Sequence, residues 1–208
     1  MSEIKNKQIP LPEKEEGAQK DIDAKEETST VEKAKQLFEI AKTRLLEVNN
    51  WDKICGKGSA KFEVTDENGK KTEVTPKVGY HFKIDIPAPG TKTGEGFDWV
   101  KVEAIEQNED ADKDSEFILM RVRPSDNPLT GNNETAHFFS DKSTSNFLVM
   151  REKKVVTAAV LGRNEVANTD SKISFFDKIR NAVVGTGAAG GLSSPQWKSL
   201  VRGLLGKN

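Results

Sequence analysis

The stretch Asn146-Phe-Leu-Val-Met-Arg-Glu-Lys-Lys-Val-Val-Thr-Ala-Ala-Val-Leu161 decides the fold class. Two apolar runs, rich in β-branched and bulky side chains, flank the polar pair Glu152-Lys153. Each run is too short for a typical helix, and the polar pair has the length of a tight turn, so the stretch reads as a β-hairpin.

Working outward, the period of two recurs from Gly56 to Gly162. Ala60, Phe62 and Val64 alternate with polar residues and end at the turn Asp66-Glu67-Asn68-Gly69. Tyr80–Ile86 stops at Pro87-Ala88-Pro89-Gly90. Phe97–Glu106 places Val100, Val102 and Ala104 on one side, and Phe117–Arg123 stops at Pro124. Thr135–Phe139 is a further short strand. Six to seven short strands with turn signals between them predict an antiparallel barrel or sandwich, and the missing alternation with long helices argues against a parallel α/β fold.

Helical periodicity brackets this region. Ser29-x-x-Glu32 fits a capping box for a helix over residues 29–50, whose stripe is Val31, Ala34, Leu37, Phe38, Ala41, Leu45 and Val48. Ile40 and Leu46 lie beside that stripe. At the other end, residues 171–208 predict two helices. The first is Ser171–Val184, with Ile173, Phe176, Ile179, Ala182 and Val183. The second begins at Ser194-Pro195 and places Trp197, Leu200, Val201, Leu204 and Leu205 on one face. The expectation is therefore an α+β domain over 29–208, with a β-rich core at 56–162 flanked by one N-terminal and two C-terminal helices.

Residues 1–28 contrast with that domain. They hold Pro10, Pro12, Gly17, many charges and few apolar side chains, so they read as an unstructured tail. Through Lys33 there are nine acidic residues against six lysines, a net of −3. From Ser171 onward there are six basic residues against one acidic residue, a net of +5. The tail and the C-terminal helix 194–205 are accordingly the two segments expected to meet a protein partner. The amphipathic basic helix also fits a membrane surface.

Composition narrows the function classes. The 208 residues carry 32 Lys+Arg against 33 Asp+Glu, a formal net charge of −1, which gives no strong nucleic-acid signal. The single cysteine, Cys55, rules out an intrachain disulfide framework. Without a signal-peptide pattern or an apolar span of bilayer length, the expected location is the cytoplasm, although a leaderless export route would leave no trace in this reading.

Several motifs resemble chemical sites. Gly185-x-Gly187-x-x-Gly190 matches a dinucleotide-binding loop by letter, but only 18 residues follow and no acidic residue stands downstream to hold a ribose. It reads as a hinge, and no cofactor is expected. Asp110-x-Asp112-x-Asp114 resembles the start of a calcium loop, yet Ser115 stands where glycine is needed and Arg121 where the closing glutamate is needed. His81, His137 and Cys55 have no zinc-ligand spacing. His137 with Asp141 and Ser143 supplies residue types used in nucleophilic catalysis, which makes a small hydrolase the alternative function. For an anion or a partner, the candidates are Arg121 and Arg123 on one strand and Arg163, Asn164 and Glu165 after the last strand. Ion pairs between such arginines and nearby carboxylates are the plainer expectation. Trp197, Leu200 and Leu204 are the corresponding candidates on the last helix. The leading expectation is a non-enzymatic binding or assembly module, a component or adaptor of a multi-protein complex.

Overall fold

The computed structural model describes residues 9–13, 15, 18–56, 59–85, 97–108, 114–130, 143–165 and 195–207. Seven strands form one antiparallel sheet. They are β1 (Ala18–Glu27), β2 (Lys61–Thr65), β3 (His81–Asp85), β4 (Asp98–Asn108), β5 (Ser115–Pro124), β6 (Thr144–Glu152) and β7 (Val155–Glu165). Their spatial order is β1-β7-β6-β5-β4-β3-β2. Among the described residues three helices accompany them: α1 (Val31–Leu46), the short α2 (Trp51–Cys55) and α3 (Pro195–Leu204). A 3-10 turn at Val48–Asn50 joins α1 to α2. The expected α+β class is present, with seven antiparallel strands in one curled sheet flanked by helices. The short strand expected at Thr135–Phe139, the helix at Ser171–Val184 and the glycine hinge lie outside the described residues.

The hairpin of β6 and β7 turns at Glu152-Lys153-Lys154-Val155, with Lys153 in the left-handed region at φ 51°. Every residue of β6 from Thr144 to Arg151 is buried, as a two-sided apolar run requires. Phe147 and Val149 face the main core together with Val156, Ala158 and Val160. Leu148 and Met150 face the opposite side with Ala159 and Leu161.

The main core lies between the sheet and the helices. α1 contributes Ala34, Phe38, Ala41 and Leu45, the stripe expected from its sequence. Its N-cap is Thr30, whose Oγ1 accepts from Lys33 N at 3.2 Å, one residue later than the capping box placed it. Trp51 is fully buried, and its ring centroid lies 5.2 Å from Phe62 of β2, 6.3 Å from Phe82 of β3 and 4.8 Å from Phe147 of β6. In a flat sheet β2 and β6 would stand about 19 Å apart, four strand spacings. One indole touching both strands therefore requires the sheet to curl around the helices, which makes this face concave. Trp197 of α3 closes the same group, 6.1 Å from Phe62 and 5.6 Å from Phe147.

Two sequence expectations change here. Residues 18–27, placed in the unstructured tail, form β1 and pair along β7 from Ala18↔Glu165 to Glu27↔Val155. Main-chain hydrogen bonding supplies the order that the few apolar side chains of the segment do not. Ile22 and Ala24, on alternate residues, add contact with the main core. The apolar face of α3, assigned to a partner or a membrane, is consumed inside the chain. Trp197 and Leu200 are 0% exposed, and Val201, Leu204 and Leu205 are buried with them. Its strong amphipathicity arises because the open side of the curled sheet needs an apolar cover.

Both edges of the sheet are capped. At β2, Val64 N donates to Asn49 Oδ1 (2.7 Å) and Ala60 N donates to Gln196 Oε1 (2.9 Å). At β1, Lys207 Nζ donates to the Lys25 carbonyl and pairs with Glu26. Side-chain caps of this kind leave fewer groups for edge-to-edge association.

Replacing Trp51 by Ala is expected to cost about 3–5 kcal/mol of unfolding free energy, because three ring contacts and two helix-end hydrogen bonds disappear together. Urea unfolding followed by circular dichroism measures it, and a cost under about 1 kcal/mol would contradict the central place given to this ring.

Candidate functional site

The convex face of β5, β6 and β7 carries the most organised set of side chains outside the main core. At its centre Leu119, Leu148, Met150, Ala159 and Leu161 form a second apolar cluster, with Phe117 beside them. Ile9 and Leu11, from the N-terminal segment, pack against this cluster. Next to it the sequence changes from apolar to polar along β5, β6 and β7, at Arg121, Asn146 and Arg163, and these residues converge.

Asn146 is fully buried. Its Nδ2 donates to Thr144 Oγ1 (3.2 Å) and to the Leu161 carbonyl (3.0 Å). Its Oδ1 accepts from Arg121 Nε at 3.0 Å. That bond aims the guanidinium, whose Nη2 donates to the Pro10 carbonyl and stands 3.9 Å from Glu106. Asn164 sits at a β-bulge in the left-handed region, φ 54°, where the register between β1 and β7 shifts. Asparagine tolerates this backbone better than most residues. The bulge turns its amide onto the N-terminal segment: Nδ2 donates to the Glu13 carbonyl (3.1 Å) and Oδ1 accepts from Glu15 N (3.0 Å). Arg163, 3% exposed, donates through Nη1 to Asp21 Oδ1 of β1 and to the Gly162 carbonyl.

The candidate residues therefore divide. Arg121, Arg163 and Asn164 come together on one surface and grip the N-terminal segment and β1. Arg123 stands apart, forming a two-pronged pair with Glu103 at the β4 bulge. The ion-pair expectation holds for Arg123, which pairs with Glu103, and for Arg163, which pairs with Asp21. Glu165 pairs through its backbone with Ala18. Trp197, Leu200 and Leu204 belong to the core. Asn146, Asp21, Ile9 and Leu11 escaped the sequence reading. The available signals were Ile9-Pro-Leu-Pro12, an apolar island in a charged stretch, and the alternation of Ile22 and Ala24 with Asp21, Asp23 and Lys25.

Of the hydrolase candidates, His137 and Asp141 lie outside the described residues. Ser143 donates its hydroxyl to the Asn164 carbonyl at 2.8 Å, bracing the bulge. Asp110 and Asp112 also lie outside the described residues, and Asp114 accepts Lys153 N at its carbonyl (2.7 Å). Among the described residues no group of three or more His, Cys, Asp or Glu side chains is placed to hold a metal ion.

His81 and Cys55 occupy opposite sides of the sheet. Cys55 packs against the helical core, and its Sγ faces the Gln196 carbonyl at 3.8 Å. Burial, helped by Asp52, pushes its thiol up to about 12. His81 is buried on the convex side, opposite Lys101 across the ladder, with Nδ1 3.5 Å from the Asp66 carbonyl. Burial holds its pKa below the ordinary 6.5, with Lys101 acting in the same direction.

A shallow open groove of about 840 Å³ lies where the start of α1 meets the β6–β7 turn. Glu27, Asp114 and Glu152 line it beside Lys153 and Lys154, three acidic residues against two basic ones.

The fold and this surface define a class: an α+β protein whose curled antiparallel sheet is filled on its concave side by helices, and whose convex side holds the N-terminal segment through main-chain contacts. No family model matches the chain, and no curated protein sequence matches it. Among solved structures it is similar to a point mutant of norcoclaurine synthase from Thalictrum flavum in complex with a transition-state analogue. The identity is 11%, over 74% of this chain and 79% of that chain, with a TM-score of 0.38. The X-ray structure of norcoclaurine synthase from the same plant gives 12%, 75%, 80% and 0.36. Likeness at this level carries no argument about the chemistry of this chain.

Two outcomes follow from the titrating groups. In the folded protein Cys55 is expected to resist alkylation by iodoacetamide at pH 8, because its thiolate fraction there is on the order of one in ten thousand. Rapid labelling before urea is added would contradict the raised pKa of this half-buried thiol. His81 makes stability fall as the medium is acidified. The unfolded chain takes up a proton near 6.5 and the folded ring does so only at lower pH, so this contribution is complete above 6.5 and is lost as pH drops toward the folded value. Comparing urea midpoints of the parent and His81→Gln at pH 7.5 and 5.5 checks the sign. The parent should lose more than the variant.

Proposed function

We propose that the chain is a non-enzymatic binding or assembly module of the cytoplasm, acting as a component or adaptor of a larger protein complex through the convex face of its sheet. One observation carries the reading. Buried and half-buried donors and acceptors on β5 and β7 (Arg121 and Asn164) are aimed at the main chain of the N-terminal segment, beside an apolar cluster that takes two of its side chains. Groups arranged this way suit recognition of polypeptide, because main-chain bonds give affinity whatever the sequence and apolar pockets add selectivity.

The concave side supports the same direction. Trp51, Trp197, Phe62, Phe82 and Phe147 pack together on the concave side, so the described rings occupy that space themselves. The cytoplasm remains the proposed location; among the described residues no helix is long and apolar enough to cross a membrane. A membrane-surface role through α3 loses its support, since the apolar face of that helix is buried against the sheet and α2.

Capture with the full chain from its native host, coupled to light scattering of the purified protein, tests the proposal. The expected result is one protein recovered in near-equal amount, with recovery reduced by Arg121→Ala. A strict monomer that recovers nothing, or steady turnover of an ester or phosphoester by the pure chain, would contradict it.

A further inference from the structure

Away from the N-terminal segment, the convex face of β3, β4 and the end of β5 gathers a second group of polar side chains. Lys83 of β3 stands opposite Trp99 of β4, and Ser125 N, just past β5, donates to the Trp99 carbonyl at 3.0 Å. Beside this row runs another, in which His81 pairs with Lys101 and Lys101 with Arg123. The alternate residues Phe82, Ile84, Val100, Val102 and Val122 face the main core, so both rows lie on the convex side.

Two atoms of the first row carry the argument. Trp99 is 5% exposed, and its Nε1 and the Ser125 Oγ are both buried without a hydrogen-bond partner. Buried polar groups are bonded in the great majority of cases. Here two unbonded ones belong to residues that stand opposite each other on one face. An indole N–H and a lysine ammonium only donate, and a hydroxyl can donate as well. Lys83 Nζ lies 3.8 Å from the centre of the Phe97 ring, and Lys101 is exposed. Carboxylates on the same face are engaged with other cations: Glu63 with Lys71, and Glu103 with Arg123. Asp85 stands opposite Lys61. The two rows thus bring together an indole, a hydroxyl and two ammonium groups.

We propose that Lys83, Trp99, Lys101 and Ser125 form a binding site for an oxyanion, the phosphate or carboxylate group of a small molecule. Trp99 Nε1 and Ser125 Oγ donate to its oxygens and fix its orientation, and the ammonium groups supply the charge. The flexible stems of the two lysines let their heads move aside to admit the anion to the buried indole edge. A doubly charged phosphate is preferred to a carboxylate, because two ammonium groups flank the row. This site is separate from the contacts of Arg121 and Asn164 and does not rest on them.

The test titrates the isotope-labelled full chain with inorganic phosphate and follows the indole N–H signals by NMR. Ser125→Ala identifies the Trp99 signal, since it alters the residue opposite. Phosphate should shift that signal to saturation and leave the Trp51 signal in place, because Trp51 Nε1 is held by the Arg44 and Leu45 carbonyls. Lys83→Met and Lys101→Met should each weaken phosphate binding at least about threefold. Ser125→Ala should weaken it about tenfold, as expected for a lost hydrogen bond to a charged group. Urea midpoints verify that the variants fold. Acetate provides the carboxylate arm, and sodium chloride at matched ionic strength is the control.

A Trp99 signal that ignores both phosphate and acetate overturns the site. So does a shift that chloride reproduces, a shift shared with Trp51, or equal binding by the parent and both lysine variants. Saturation by acetate at lower concentration than phosphate keeps the oxyanion site and overturns the preference for phosphate. The binding-module proposal stands or falls separately, on the captured partner and its dependence on Arg121.

Discussion

The structure depends on the indole of Trp51. Its faces and edges meet rings from β2, β3 and β6, which a flat sheet would hold far apart, so its position and the curl of the sheet imply one another. The same ring ends a helix. Nε1 donates to the Arg44 and Leu45 carbonyls, each at 3.2 Å, satisfying groups that the last turn of α1 leaves open. Arg44 in turn donates to the Gly203 and Leu204 carbonyls at the end of α3. The chain thus locks two helix ends and three strands around one side chain, and Trp197 of α3 fills the space that remains.

Among the described residues the concave side is filled by aromatic rings. On the convex side the two-faced hairpin of β6 and β7 carries a second apolar cluster, and the change from Leu and Met to Arg and Asn at Arg121, Asn146 and Arg163 creates a polar border beside it. This border is buried and internally bonded, which makes it a preorganised surface: Asn146 sets the direction of Arg121, Ser143 braces the Asn164 bulge, and Asp21 neutralises Arg163. The first described residues of the chain lie against it.

Much of the fold was legible in the sequence because period carries it. The β6–β7 hairpin, the α1 stripe and the start of α3 at Pro195 all appear where the spacing puts them. What periodicity could not show is which partner an apolar face meets. The face of α3 read as free because nothing in the sequence reports that a sheet curls to receive it. β1 read as tail because its order comes from main-chain bonds to β7, and its composition of Lys, Asp and Glu is that of a solvated segment. The site was half legible for a similar reason. Arg121, Arg163 and Asn164 stood out by chemistry, but their convergence depends on register, and the bulge at Asn164 that aims the amide is a tertiary feature.

The most direct test of this account is amide hydrogen exchange along residues 9–27 of the full chain, read by mass spectrometry or NMR. The account predicts strong protection across β1, and protection at Glu15 N that is lost in Ile9→Asp/Leu11→Asp while β1 stays protected. Exchange at the rate of an unstructured peptide throughout 9–27 would contradict it.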